Sequence, residues 1–333
     1  MGELKPDKGD VAAIDELRET YGKIKAEMAK VIHGQEDVIE KLVICVLSGG
    51  HALLMGVPGL AKTLMVRTLA DLMSLKFSRI QFTPDLMPSD ITGTDILQDT
   101  GEAGKRAFEF VKGPVFSNIV LADEINRTPP KTQAALLQAM QEHEVSVVGR
   151  TFTLEEPFFV LATQNPIEQE GTYPLPEAQL DRFMFFIKVA YPSMEEELAI
   201  SRTTTSGDPS AVDKVIDRDT IIGYQQLIRR VPVPDHVHEY VVKLVRSTRP
   251  GTEDAPEWTK DFITWGAGPR AVQYLIIGAK ARAVLNGNYL VGVDDVNAIV
   301  NEVLTHRVLL SFHAETEGMA PEDAIARLLG SEE

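Results

Sequence analysis

Gly56-Val57-Pro58-Gly59-Leu60-Ala61-Lys62-Thr63 joins a short apolar stretch at 51–55 to a helical stretch at 61–73, and its reading decides the fold. A glycine-bearing loop between strand and helix can turn backbone N–H groups onto phosphate oxygens, at a helix N-terminus whose dipole favours anions. Read this way, Gly56, Val57, Pro58, Gly59, Leu60 and Ala61 cradle a nucleotide's phosphates. Lys62 then reaches the β- and γ-phosphates, Thr63 offers its hydroxyl to Mg²⁺, and Leu64 continues the binding segment. Ala61 occupies a position where the usual pattern has glycine. With that position free, only Gly, Lys and Ser/Thr are fixed, and a chain of this length meets such a pattern by chance roughly one time in six. The flanking strand and amphipathic helix are what give the match weight, because the chemistry needs that placement.

Downstream, Ile119-Val120-Leu121-Ala122-Asp123-Glu124 reads as a buried strand ending in two carboxylates. Such a strand delivers charge to the carboxyl edge of a parallel sheet, where α/β proteins bind ligands. Asp123 would hold Mg²⁺, usually through the ion's water shell, and Glu124 would polarise the water that attacks the γ-phosphate. Phe158-Phe159-Val160-Leu161-Ala162-Thr163-Gln164-Asn165-Pro166 repeats the arrangement, with Asn165 at the same edge. Its side-chain amide could orient water, although Asn before Pro is also a common turn former.

Further strand candidates at 77–82 and 183–189, and a helix at 131–142, complete an alternation of strands and helices. That alternation implies a parallel sheet covered on both faces. Two hairpins interrupt it. One is formed by 95–98 and 107–112 around a turn at 99–104; the other by 145–148 and 151–154. In the second, Gly149 and Arg150 are the expected central residues of a type II′ turn. Helical spacing also marks 11–30 and 35–48. After Tyr191 and Pro192 strand patterns fade, and helices are expected at 195–204, 220–230, 236–246, 269–285, 294–304 and 321–329. The expected division is residues 1–191 and residues 192–333, the second part all-helical.

The 333 residues carry 33 Lys+Arg against 49 Asp+Glu, a net charge of −16. That field repels nucleic acid and anionic membrane, and it suits a protein partner. One cysteine, Cys45, cannot form an internal disulfide, residues 1–10 have no apolar signal core, and no apolar run reaches the ~20 residues that span a bilayer. A cytoplasmic protein with no membrane insertion is the expectation.

These motifs resemble those of AAA+ ATPases, and most closely the MoxR group, over nearly the whole chain from Val31-Ile32-His33-Gly34-Gln35 onward. The resemblance implies a three-layer αβα P-loop core with a parallel sheet, followed by a helical lid. Gly56 to Thr63 resembles Walker A, Asp123 and Glu124 Walker B, and Asn165 sensor 1. The hairpins resemble the helix-2 insert and the pre-sensor-1 hairpin. Leu180-Asp181-Arg182-Phe183 is similar to the arginine-finger segment, so Arg182 would enter a neighbouring subunit's site. Gly268-Pro269-Arg270-Ala271 is similar to sensor 2, with Arg270 at a helix start contacting the γ-phosphate from the lid. Gly34 would lie near the adenine, and Arg127 is a further candidate for the subunit interface.

What the resemblance implies is a ring, typically a hexamer, that hydrolyses Mg-ATP to remodel a protein client. The client could be a von Willebrand factor A domain protein, and metal-cofactor insertion is among such proteins' roles. A nucleic-acid motor, a chelatase-type subunit and a nucleotide-gated scaffold with little turnover are the alternatives.

Overall fold

The computed structural model describes residues 8–99, 106–167, 171–205 and 211–330. Two helices, α1 (Lys8–Ala29) and α2 (Glu36–Leu47), lead into β1 (Ala52–Met55), α3 (Lys62–Leu72) and β2 (Phe77–Gln81). A short helix α4 (Pro88–Thr92) precedes the hairpin of β3 (Gly93–Asp99) and β4 (Arg106–Lys112). Then follow β5 (Ile119–Asp123), α5 (Pro130–Glu142), a second hairpin of β6 (Glu144–Val147) and β7 (Arg150–Thr153), β8 (Phe159–Gln164), α6 (Glu177–Leu180) and β9 (Phe185–Lys188).

Five strands form one parallel sheet in the order β2-β5-β8-β1-β9. Ile119, Val120, Leu121 and Ala122 have no exposed surface, the continuous apolar run expected of a strand covered on both faces. Side chains alternate between two apolar clusters: Leu53, Val120 and Val160 enter one with α5, and Leu54, Leu121 and Leu161 the other with α1, α2 and α3. Because β8 lies between β5 and β1, the carboxyl ends of these three strands emerge side by side.

The chain continues with α7 (Met194–Thr204), started by a reciprocal cap in which Ser193 N–H donates to Glu196 Oε2 at 2.7 Å and Glu196 N–H to Ser193 Oγ at 3.3 Å. Next come α8 (Arg218–Arg230), α9 (Asp235–Ser247), α10 (Thr259–Phe262), β10 (Ile263–Trp265) and α11 (Pro269–Leu285). The last elements are α12 (Val293–Asn297), α13 (Val300–Leu304), β11 (Leu309–Leu310), α14 (Phe312–Thr316) and α15 (Pro321–Leu329). This lid is helical as expected, with one addition, an antiparallel ribbon of β10 and β11. The helix expected at 294–304 is interrupted between Asn297 and Val300. The α1 helix packs against α3 and also against α8 and α11, so one apolar cluster runs from the sheet into the lid.

Both hairpins form. The turn expected at 99–104 in the first lies mostly outside the described residues. In the second, Val147 pairs with Arg150, so Val148 and Gly149 are the central residues, with φ of 49° and 74°. The expected type II′ turn is therefore corrected to the type I′ pattern, shifted by one residue; its twist matches that of the strands. Val148 accepts the left-handed region, which β-branched residues rarely enter. The hairpins lock to each other through an Arg150–Asp95 ion pair and stacking of Phe110 on Phe152 at 4.3 Å.

Candidate nucleotide site

At the end of β1, Gly56 sits in a tight place, since a Cβ there would stand 3.0 Å from the Val189 carbonyl oxygen and the neighbour would have to give way. The loop then turns through left-handed backbone twice, at Gly59 (φ 88°) and Ala61 (φ 52°). The second position explains why glycine usually stands there. Alanine occupies it at a cost of about 1 kcal/mol. Lys62 opens α3, and its Nζ donates back to the carbonyls of Gly56 at 2.5 Å and Val57 at 2.9 Å. Burial lowers the Lys62 pKa from its ordinary value, against the opposing pull of Asp123 and Glu124.

Across the cavity, Thr163 ties the two acids together. Its hydroxyl donates to Asp123 Oδ1 at 2.6 Å and accepts the Glu124 N–H at 2.9 Å. Asp123 Oδ2 accepts Arg79 Nε at 3.0 Å and Nη2 at 2.6 Å. Glu124 takes left-handed backbone, φ 57°, which non-glycine residues adopt where function or surroundings demand it. Its Oε2 accepts Gln81 Nε2 at 3.0 Å and Arg127 Nη1 at 2.9 Å. Asn165 is buried, its Oδ1 accepting the Ile167 N–H at 3.1 Å, while its Nδ2 finds no acceptor. A buried donor without a partner costs about 1–3 kcal/mol, which a water or anion oxygen would recover. Residues 58–64, both acids, Asn165, Thr163 and Arg79 line a single cavity of about 450 Å³.

Three predicted residues lie elsewhere. Gly34 (φ 74°) lines a separate cavity of about 520 Å³ with Ile32 and Ile39, and a Cβ there would collide with the Glu196 carboxylate. Arg182 donates from Nη1 to the Leu137 carbonyl at 2.8 Å. Arg270 donates from Nη1 to Asp181 Oδ2 at 3.0 Å. Neither arginine lines the cavity around residues 58–64. They are instead placed near one another, because Asp181 also precedes Arg182 and Tyr274 Oη of α11 donates to the Arg182 carbonyl at 3.2 Å. Arg127, expected at a subunit interface, pairs within the chain with Glu124.

Asp181 does more than hold Arg270. Its Oδ1 accepts the Nε of Arg307 at 2.7 Å, and Arg307 is 5% exposed. Burial lowers the Arg307 pKa, and the Asp181 hydrogen bond and charge oppose that. Asp181→Ala would leave a buried guanidinium without its counter-charge, so a loss of about 3 kcal/mol in unfolding free energy is expected by urea denaturation.

Sequence reading missed Arg79, Gln81 and Thr163. Thr163 is a polar residue in the otherwise apolar run before Asn165, a spacing that could have flagged it. The alternation Arg79-Ile80-Gln81 at a strand end is the matching sign for the other two.

Residues 51–185 match the family model for the ATPase family associated with various cellular activities, and residues 256–328 match the AAA lid domain. The chain is 44% identical over 303 residues to "Chaperone MoxR1" of Mycobacterium tuberculosis, covering 91% of this chain and 79% of that one. "Protein MoxR" of Methylorubrum extorquens is 31% identical over 330 residues, covering 93% and 92%. The chain belongs to the MoxR family of AAA+ ATPases. A candidate ATPase of Cytophaga hutchinsonii, solved by crystallography, superposes with a TM-score of 0.89 at 43% identity over 96% of both chains. Family membership makes this chain an ATP-hydrolysing enzyme with a nucleotide-binding αβα core and a helical lid. Among the described residues no helix is long and apolar enough to cross a membrane.

Proposed function

We propose that the chain hydrolyses Mg-ATP as an oligomeric ring and uses the cycle to remodel or activate a protein client. One observation carries this reading: Lys62, Thr63, Asp123, Glu124 and Asn165, with its unpartnered Nδ2, line one cavity at the carboxyl edge of the sheet. The donor set suits the ligand. Thr63 and Asp123 bring hard oxygens, the type magnesium prefers, while Lys62 and Asn165 bring donors for phosphate oxygens. When bound, Mg²⁺ would neutralise developing phosphoryl charge. Residues 56–61 cradle the phosphates, Lys62 exchanges its two loop carbonyls for phosphate oxygens, Glu124 draws a proton from the attacking water, and Asn165 orients that water.

Arg182 and Arg270 serve a neighbouring subunit's site in this scheme. Neither lines the cavity of its own chain, and Asp181, the residue before Arg182, accepts Arg270 Nη1, which supports that assignment. A ring, in the family typically a hexamer, follows from a site completed in trans. The net charge of −16 supports a protein client over nucleic acid and suits a cytoplasmic setting. A von Willebrand factor A domain partner and metal-cofactor insertion are carried by family likeness.

Phosphate release measured against protein concentration tests the reading. Specific activity should rise with concentration and vanish in EDTA. A specific activity independent of concentration would remove the shared site, and activity persisting in EDTA would remove the metal.

A further inference from the structure

Ile80 of β2 is buried in the cluster shared with α5, so alternation turns Arg79 and Gln81 to the opposite face. The parallel register sets Gln81 beside Asp123. Arg79 applies both Nε and Nη2 to one oxygen of Asp123, and Thr163 takes the other, so both carboxylate oxygens are engaged. Arg79 Nη2 also donates to Gln81 Oε1 at 2.7 Å, and Gln81 Nε2 donates to Glu124 Oε2. A continuous chain of hydrogen bonds thus runs from the carboxylate of Asp123, through Arg79 and Gln81, to that of Glu124.

We propose that Arg79 is a positioning residue that holds Asp123 through this ion pair and must be displaced before a divalent cation engages that carboxylate. This rests on the reading of Asp123 as a metal-holding residue. A guanidinium and a hard dication compete for the same oxygen, and each repels the other when both are present. By linkage, the ion pair weakens cation binding by the factor by which the cation weakens the ion pair. Arg79 is about half exposed, its side chain at 48%, so it can swing into solvent without opening a buried void. Releasing Asp123 alters what Arg79 asks of Gln81, and hence how Gln81 holds Glu124. Cation occupancy and the alignment of Glu124 become coupled through two side chains of β2.

The test reads binding rather than turnover. Mg²⁺ is titrated into the intact chain with a saturating fluorescent ADP analogue, and the midpoint of the fluorescence change is recorded. Arg79→Gln is expected to lower that midpoint about fivefold or more. Arg79→Lys keeps the charge without the fork and is expected to recover part of the wild-type midpoint. An unchanged or raised midpoint in Arg79→Gln overturns the proposal. Should Arg79→Gln fail to bind the analogue in EDTA, Arg79→Lys carries the comparison, with a smaller shift in the same direction expected and no shift overturning it. Asp123→Asn separates the two levels. If it weakens Mg²⁺ while Arg79→Gln changes nothing, the proposal alone falls. If Asp123→Asn leaves the Mg²⁺ midpoint in place, the metal-site reading is wrong and the proposal falls with it.

Discussion

Glu124→Gln is expected to bind ATP about as well as the parent chain and to hydrolyse it about 10²–10⁴-fold more slowly, the range for losing a positioned general base. Glutamine keeps the length and one acceptor oxygen, so Gln81 and Arg127 retain a partner. The left-handed backbone of Glu124 is fixed from outside the side chain, by its N–H on Thr163. The substitution therefore subtracts basicity and little else. A fluorescent nucleotide reports binding, and single-turnover phosphate release reports the chemical step. An unchanged release rate would take Glu124 out of the chemistry and make a nucleotide-gated scaffold the better account.

The parts of this site that could be read from sequence are those built by local rules. The P-loop, the paired acids and Asn165 each follow an apolar run, and a parallel strand delivers whatever follows it to one edge. Ala61 departs from the pattern in residue type alone: its φ of 52° keeps the glycine-like geometry. What sequence could not give is pairing across strands. Arg79 meets Asp123 because β2 lies beside β5 in one particular register, and the two residues are 44 positions apart. The Asp181–Arg307 pair spans 126 positions and joins core to lid. No periodicity encodes such distances. The turn falls at Val148 and Gly149, one residue before the expected place, for a related reason: strand register decides which two residues are left over to turn.

Arg182→Ala is the substitution in which structure and activity should part most widely. Within the chain, the contact described for its guanidinium is one carbonyl, that of Leu137. A hydrogen bond of this kind contributes about 1 kcal/mol, so the urea midpoint should move little. If the same guanidinium reaches a neighbour's transferring phosphoryl group, its loss costs about 10³-fold or more in rate. Mixing this variant with Glu124→Gln then decides between cis and trans action. In a head-to-tail ring each site joins the acid of one subunit to the arginine of the next. An Arg182→Ala subunit faced by a Glu124→Gln subunit has both groups intact, and random mixing of equal amounts produces that pairing at roughly a quarter of the interfaces. Two nearly inactive preparations should therefore recover up to roughly that fraction of parental activity once combined and allowed to exchange subunits. If Arg182 acted within its own chain, every subunit in the mixture would remain defective and the combined rate would equal the sum of the two residual rates. Recovery would fix the minimal catalytic unit as two chains, because the base and the arginine would have come from different molecules.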